Sequence, residues 1–167
     1  MSQFVSFFLG HKRSAVRIEA KTKYEIFGSF SNPSFIKEHN EFRVDEGRKF
    51  FDLIGYQDPW NFAISERFKN LLEENKISGW DCYPIIIEDS DLKYFGFQVI
   101  GKAGPITSLD EDGDPMHGCT EFDENTWDGS DIFCLEDTAV IVCTTNVRDI
   151  ILKTNITNIE FADLKDW

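Results

Sequence analysis

Eleven carboxylates stand between Asp110 and Asp137, namely Asp110, Glu111, Asp112, Asp114, Glu121, Asp123, Glu124, Asp128, Asp131, Glu136 and Asp137, with no Lys or Arg among them. Acids this close in sequence can hold a divalent cation or present a negative field to a basic partner. The stretch "DEDGDPMHGCTE" is the best metal candidate. Asp110, Asp112, Asp114 and Glu121 fall at positions 1, 3, 5 and 12 of a calcium-loop template. Pro115, however, stands where the sharp turn requires Gly, and Gly113 comes two places early. His117 and Cys119 lie two apart with no second pair at ligand spacing, and no C-x₂₋₄-C occurs, so no metal or other cofactor is expected.

Covalent catalysis is no better served. A nucleophilic Ser or Cys needs a base and an orienting acid, and His11, His39 and His117 stand in no recognisable motif. G-x-S-x-G, a Walker loop and H-E-x-x-H are all missing. "GKAGP" at 101–105 follows a strand and turns at Pro105, with no helix to receive phosphate. The expectation is a chain that is not an enzyme.

The formal net charge is −13, yet outside Asp110–Asp137 the chain holds 19 acids against 17 bases. One segment therefore carries the imbalance. Such a field draws cationic proteins and repels nucleic acid. The expected partner-binding set is Asp110, Glu111, Asp112, Asp114, Glu121, Asp123, Glu124, Trp127 and Asp128, with Trp127 the aromatic contact inside the acidic stretch. Trp60 and Trp80, with apolar neighbours, are expected in the core. The bland alternative is a solvated loop that aids solubility.

Positioning these residues falls to a chain of 167 residues, the size of one domain with its own core, supplied here with sixteen Phe and four Trp. "FVSFFLG" near the N-terminus lacks a preceding basic region and a following small-residue site, so it reads as a first strand and not as a signal. No apolar run reaches the roughly 20 residues of a membrane span. Cys82, Cys119, Cys134 and Cys143 are then expected as reduced thiols in a cytoplasmic protein.

Strands are expected at 2–9, 23–30, 92–100 and 138–143, and "EGRKFFDLIGYQDPW" could hold a short helix. "SERFKNLLEENKISGWDCYPI" (65–85) and "TTNVRDIILKTNITNIEFADL" (144–164) then match in physical class at an offset of 79. Ser65 and Thr144 can cap helices, and Phe68, Leu71 and Leu72 correspond to Val147, Ile150 and Ile151 as apolar stripes. Gly79 corresponds to Asn158, the next residue to tolerate positive φ. The expected fold is α+β, a single domain (1–167) with a mixed, mostly antiparallel sheet. It contains two related helix–strand units at about 65–87 and 144–164, in halves of about 1–100 and 101–167.

"GRKFFDLIGYQDPWNFAISERFKNLLEENKISGWDCYPIII", "YFGFQVIGKAGPI" and "WDGSDIFCLEDTAVIVCTTNVRDIILKTNITNIEF" together resemble small bacterial proteins grouped with the immunity proteins of polymorphic toxin systems. The resemblance covers about residues 47–164 in general pattern and carries no catalytic signature. It implies a cytoplasmic protein that binds and neutralises a cognate toxin, a basic nuclease being one candidate. The alternative is a small-ligand binder or hydrolase with its site between the two halves.

Overall fold

The computed structural model describes residues 3–26 and 33–166. Its elements run β1 (Phe4–Leu9), β2 (Arg17–Ala20), α1 (Ser34–Glu38), β3 (Glu41–Glu46), β4 (Leu53–Tyr56), β5 (Phe62–Ser65), α2 (Glu66–Glu74), β6 (Trp80–Ile87) and β7 (Tyr94–Val99). They continue with β8 (Lys102–Ala103), β9 (Ile132–Leu135), β10 (Ile141–Thr144), α3 (Thr145–Lys153) and β11 (Ile159–Asp163). The fold is α+β in a single domain, with two sheets where one was expected. Six strands close a barrel in the order β2-β3-β6-β7-β5-β4, and five form an open sheet in the order β11-β1-β10-β9-β8. Of the strand expected at 23–30, residues 27–30 lie outside the described set and 23–25 are irregular. Leu53–Tyr56, inside the stretch that could hold a helix, is strand β4.

The 79-residue register holds without a gap. β4, β5, α2 and the first residue of β6 become β9, β10, α3 and the first residue of β11 on adding 79. Strand order agrees as well. β2 lies parallel to β4 at Gly55 and Tyr56, and β8 lies parallel to β9 at Cys134 and Leu135, the same two positions plus 79. Antiparallel β5–β7–β6 corresponds to β10–β1–β11. The chain is thus two repeats, β1 to β6 and β7 to β11, dividing in the β6–β7 turn at 88–93 and not near residue 100. Each repeat lends its first strand to the other's sheet.

Side chains lock this exchange. The Thr157 amide and hydroxyl donate to Asp52 Oδ2 at 2.9 and 2.8 Å, and the Asp52 amide donates back to Thr157 Oγ1 at 2.9 Å. In the other repeat, the Ser78 amide and hydroxyl donate to Asp131 Oδ2 at 2.9 and 2.8 Å, and the Asp131 amide donates to Ser78 Oγ at 3.0 Å. Asp52 and Asp131 are 79 apart, as are Ser78 and Thr157. Reciprocal contacts of this kind are what an approximate two-fold relation produces.

The main core is shared accordingly. It pairs Leu53 with Ile132, Phe62 with Ile141, Phe68 with Val147, Leu72 with Ile151 and Ile77 with Ile156, all buried. Phe7 of β1 meets its counterpart Phe97 of β7 edge-on at 6.2 Å. Leu71 and Ile150, expected in the buried stripe, are only half-buried at its margin, because i and i+4 face the sheets and i+3 lies to one side. Only one of the two expected caps forms. Ser65 Oγ accepts from the Phe68 amide at 3.2 Å, whereas Thr144 makes no side-chain cap and its Oγ1 is buried without a partner.

Leu72→Ala and Ile151→Ala should each cost about 2–5 kcal/mol in denaturant melts, and Leu71→Ala and Ile150→Ala about 1 kcal/mol. Ser65→Ala should cost about 1 kcal/mol or more. Thr144→Val, which removes a hydroxyl already unsatisfied, should leave stability unchanged or raise it. Asp52→Ala should cost about 2–4 kcal/mol, because half-buried donors from Thr157 and Ser65 lose their buried acceptor; a loss under about 0.5 kcal/mol would show that the clasp does not hold the repeats together.

Candidate functional site

The repeats differ most in one connection. Between β2 and β4 the first repeat inserts α1 and β3, and β3 pairs with both β2 and β6, closing the barrel. At the equivalent place, between β8 and β9, the second repeat inserts the acidic segment and its sheet stays open. Ile106, Phe122 and Trp127 from this segment pack on the outer face of the sheet, against Phe4, Phe133, Leu135 and Val142. Trp127 sets its ring edge-on to Phe4 at 5.0 Å, and its indole N–H donates to the Ser130 carbonyl at 2.9 Å. It is half-buried and pins the segment down, with only part of its surface left for contact.

Between these anchors the chain folds back on itself as a narrow hairpin. Ile106 bridges Phe122, Leu109 bridges Pro115, and the Thr107 and Met116 amides donate to the Glu121 and Ser108 carbonyls. The tip is Asp110–Asp114. Asp110 Oδ1 accepts from the amides of Asp112 and Asp114 at 3.0 and 2.9 Å, and Gly113 takes the positive φ of the turn. Asp110 Oδ1 is therefore engaged in holding the turn. Among the described residues no three His, Cys, Asp or Glu converge as a ligand set. His117 is exposed and Cys119 half-buried on the same hairpin.

The other expected contact residues divide in two. Asp123 accepts from Asn125 and Glu124 from Gln3, so both hold the loop. Asp128 accepts from the Ser130 hydroxyl and the amides of Ser130 and Lys102, and its own amide donates to the Lys102 carbonyl, which closes the outer edge of β8. Partial burial opposes charge on Asp128, but these donors outweigh it and hold the carboxyl below its ordinary value. Glu111, Asp112, Asp114 and Glu121 are exposed, and their carboxylates have no hydrogen-bond partner among the described residues. All ten ion pairs among the described residues use acids outside Asp110–Asp137. Among the described residues, then, no Lys, Arg or His forms an ion pair with an acid of this segment.

A cleft of about 980 Å³ lies where the repeats meet, bordered by Trp60, Val99, Lys102, Cys134, Glu136 and Thr138. Neither His117 nor Cys119 lines it. Burial pushes the Cys134 thiol up to about 12, so it is protonated and a poor nucleophile at neutral pH. A buried carboxylate that the sequence reading passed over, Asp58, accepts from Tyr24 Oη, the Trp60 amide and both nitrogens of Asn61. It braces the β4–β5 loop, and the turn-forming "QDPWN" was its signal.

No family model matches the chain, and no curated protein matches it. The resemblance to immunity proteins therefore stands on the quoted residues alone. No helix among the described residues is long and apolar enough to cross a membrane.

Replacing Glu111, Asp112 and Asp114 by Gln, Asn and Asn should change stability by no more than about 0.5 kcal/mol, since exposed unpaired charges hold nothing in place. Asp128→Ala should cost about 1 kcal/mol through its lost hydrogen bonds. Because the folded-state value of Asp128 is depressed, its contribution is full above the ordinary carboxyl range near 3.8. It is lost as pH falls below that range, and urea melts of wild type and Asp128→Ala should converge there.

Proposed function

We propose that the protein is a non-enzymatic protein-binding module, an immunity protein that binds and neutralises a cognate bacterial toxin in the cytoplasm. The acidic hairpin is its binding face. One observation carries this reading: an apolar-anchored hairpin presents Glu111, Asp112, Asp114 and Glu121 to solvent with no ion-pair partner among the described residues. Solvent screens this charge in the free protein, and the field becomes favourable where a basic surface approaches. A basic protein, such as a nuclease whose own surface grips phosphates, is the partner of matching chemistry. Nucleic acid itself would be repelled.

A small-ligand binder is the second reading, supported by the cleft between the repeats with Trp60 on its wall. Among the described residues its lining carries Lys102, Glu136 and Asp137 but no histidine, and its one thiol, Cys134, is held protonated by burial, which favours binding over covalent hydrolysis.

The product of the adjacent open reading frame is the first partner to test. Its association rate with this protein should fall steeply between about 50 and 500 mM salt. Glu111→Gln, Asp112→Asn and Asp114→Asn together should slow association about tenfold at low salt and flatten that dependence. An association rate unaffected by these three changes would remove the hairpin from the interface.

A further inference from the structure

The same duplication that gives the acidic face sets a basic corner at the equivalent place in the first repeat. Adding 79 carries Arg48 and Lys49 onto Trp127 and Asp128. The β1–β2 crossover, five residues longer than the β7–β8 one, brings "HKRSA" to the same corner. The contact is fixed by backbone: the Arg48 and Lys49 amides both donate to the Ser14 carbonyl at 3.0 and 2.9 Å, and the Val16 amide donates to the Lys49 carbonyl at 3.0 Å. Lys12 and Lys49 then flank the half-buried Phe51 ring, their ammonium groups 5.4 and 4.9 Å from its centroid.

Lys12, Arg13, Arg48 and Lys49 are all exposed, and none is in an ion pair among the described residues. Seven of the seventeen Lys and Arg have an acid within 4 Å among the described residues, and these four, gathered at one corner, do not. The cations are held around an apolar ring, a surface suited to an acidic segment that also carries apolar side chains.

The chain itself carries such a segment. The tip of the acidic hairpin offers Glu111, Asp112 and Asp114 between Leu109 and Met116, two apolar side chains each 47% exposed. We propose that the basic corner of one copy docks the acidic hairpin tip of a second copy. The two surfaces sit on different repeats, so the contact is heterologous and leaves a free tip and a free corner at the two ends of the assembly. Longer assemblies grow with concentration. The remaining negative charge opposes approach only over a Debye length of about 8 Å at physiological ionic strength, so contact charges decide. Occupation of the tip by a second copy would compete with any other partner of the hairpin, although the self-contact does not depend on such a partner existing.

Sedimentation velocity of the full chain over a concentration series tests this with two one-sided variants. Lys12→Glu with Lys49→Glu destroys the corner and keeps the tip; Glu111→Gln, Asp112→Asn and Asp114→Asn together destroy the tip and keep the corner. Thermal melts matching wild type establish that each variant is folded. Wild type should sediment faster as concentration rises at about 150 mM salt and lose that rise at about 1 M. Each variant alone should remain monomeric, and their equimolar mixture should form a dimer and nothing larger. A wild type that stays monomeric throughout overturns the proposal, as does association that survives Lys12→Glu with Lys49→Glu. A mixture that stays monomeric while wild type associates would also overturn it, by placing the contact elsewhere.

Discussion

Everything in this fold depends on a reciprocal exchange. Without β7, strand β5 of the first repeat would present an open edge and β6 would have no antiparallel neighbour; β1 stands in the same relation to β10 and β11. Neither sheet is complete in its own repeat, and an unpaired central edge is costly in lost backbone hydrogen bonds. Asp52–Thr157 and Asp131–Ser78 fasten the two crossings, and the shared core of matched residues fills the space between the sheets. Domain-scale cooperativity follows, since opening one repeat strips a strand from the other.

A body fixed this way leaves its connections free to diverge, and one has diverged in opposite senses. In the first repeat the insertion between β2 and β4 buries Ile36 and Phe42 and closes a barrel, which removes sheet edges. In the second it lays Ile106, Phe122 and Trp127 on the open sheet and turns its acids outward. Self-repulsion among those acids is offset from within, because Asp110, Asp123 and Asp128 accept hydrogen bonds from amides or hydroxyls of the loop. The carboxylates left over are the ones available to a partner. Acids that hold the loop and acids left free thus lie only a few residues apart.

The repeat was legible between Ser65 and Leu164 because helix stripes and caps impose strong class patterns. Its backward extension to Asp52 and Asp131 was not, since an isolated Asp identity carries no periodic signal. Strand exchange was hidden for a different reason: β1 and β7 match at an offset of 90, β2 and β8 at 85, and the rest at 79, so loop-length changes break any single register. Pairing across more than 130 residues, as between Phe4 and Thr144, has no local trace. Thr144 shows the limit of class matching, because a hydroxyl in the capping position can equally be a buried group without a partner. Trp127 was recognised as important from its acidic neighbours, but its packing against Phe4 and Phe133 depends on a strand from the far end of the chain.

The central proposal is that a partner toxin is recognised by the acidic insertion between β8 and β9. Hydrogen–deuterium exchange of the full chain, free and bound to the product of the adjacent open reading frame, addresses it residue by residue. The account predicts new protection in the hairpin from Ile106 to Phe122, with α2, α3 and the cleft beside Trp60 unchanged. Protection concentrated at that cleft or on the helices, with the hairpin exchanging as in the free protein, would contradict it.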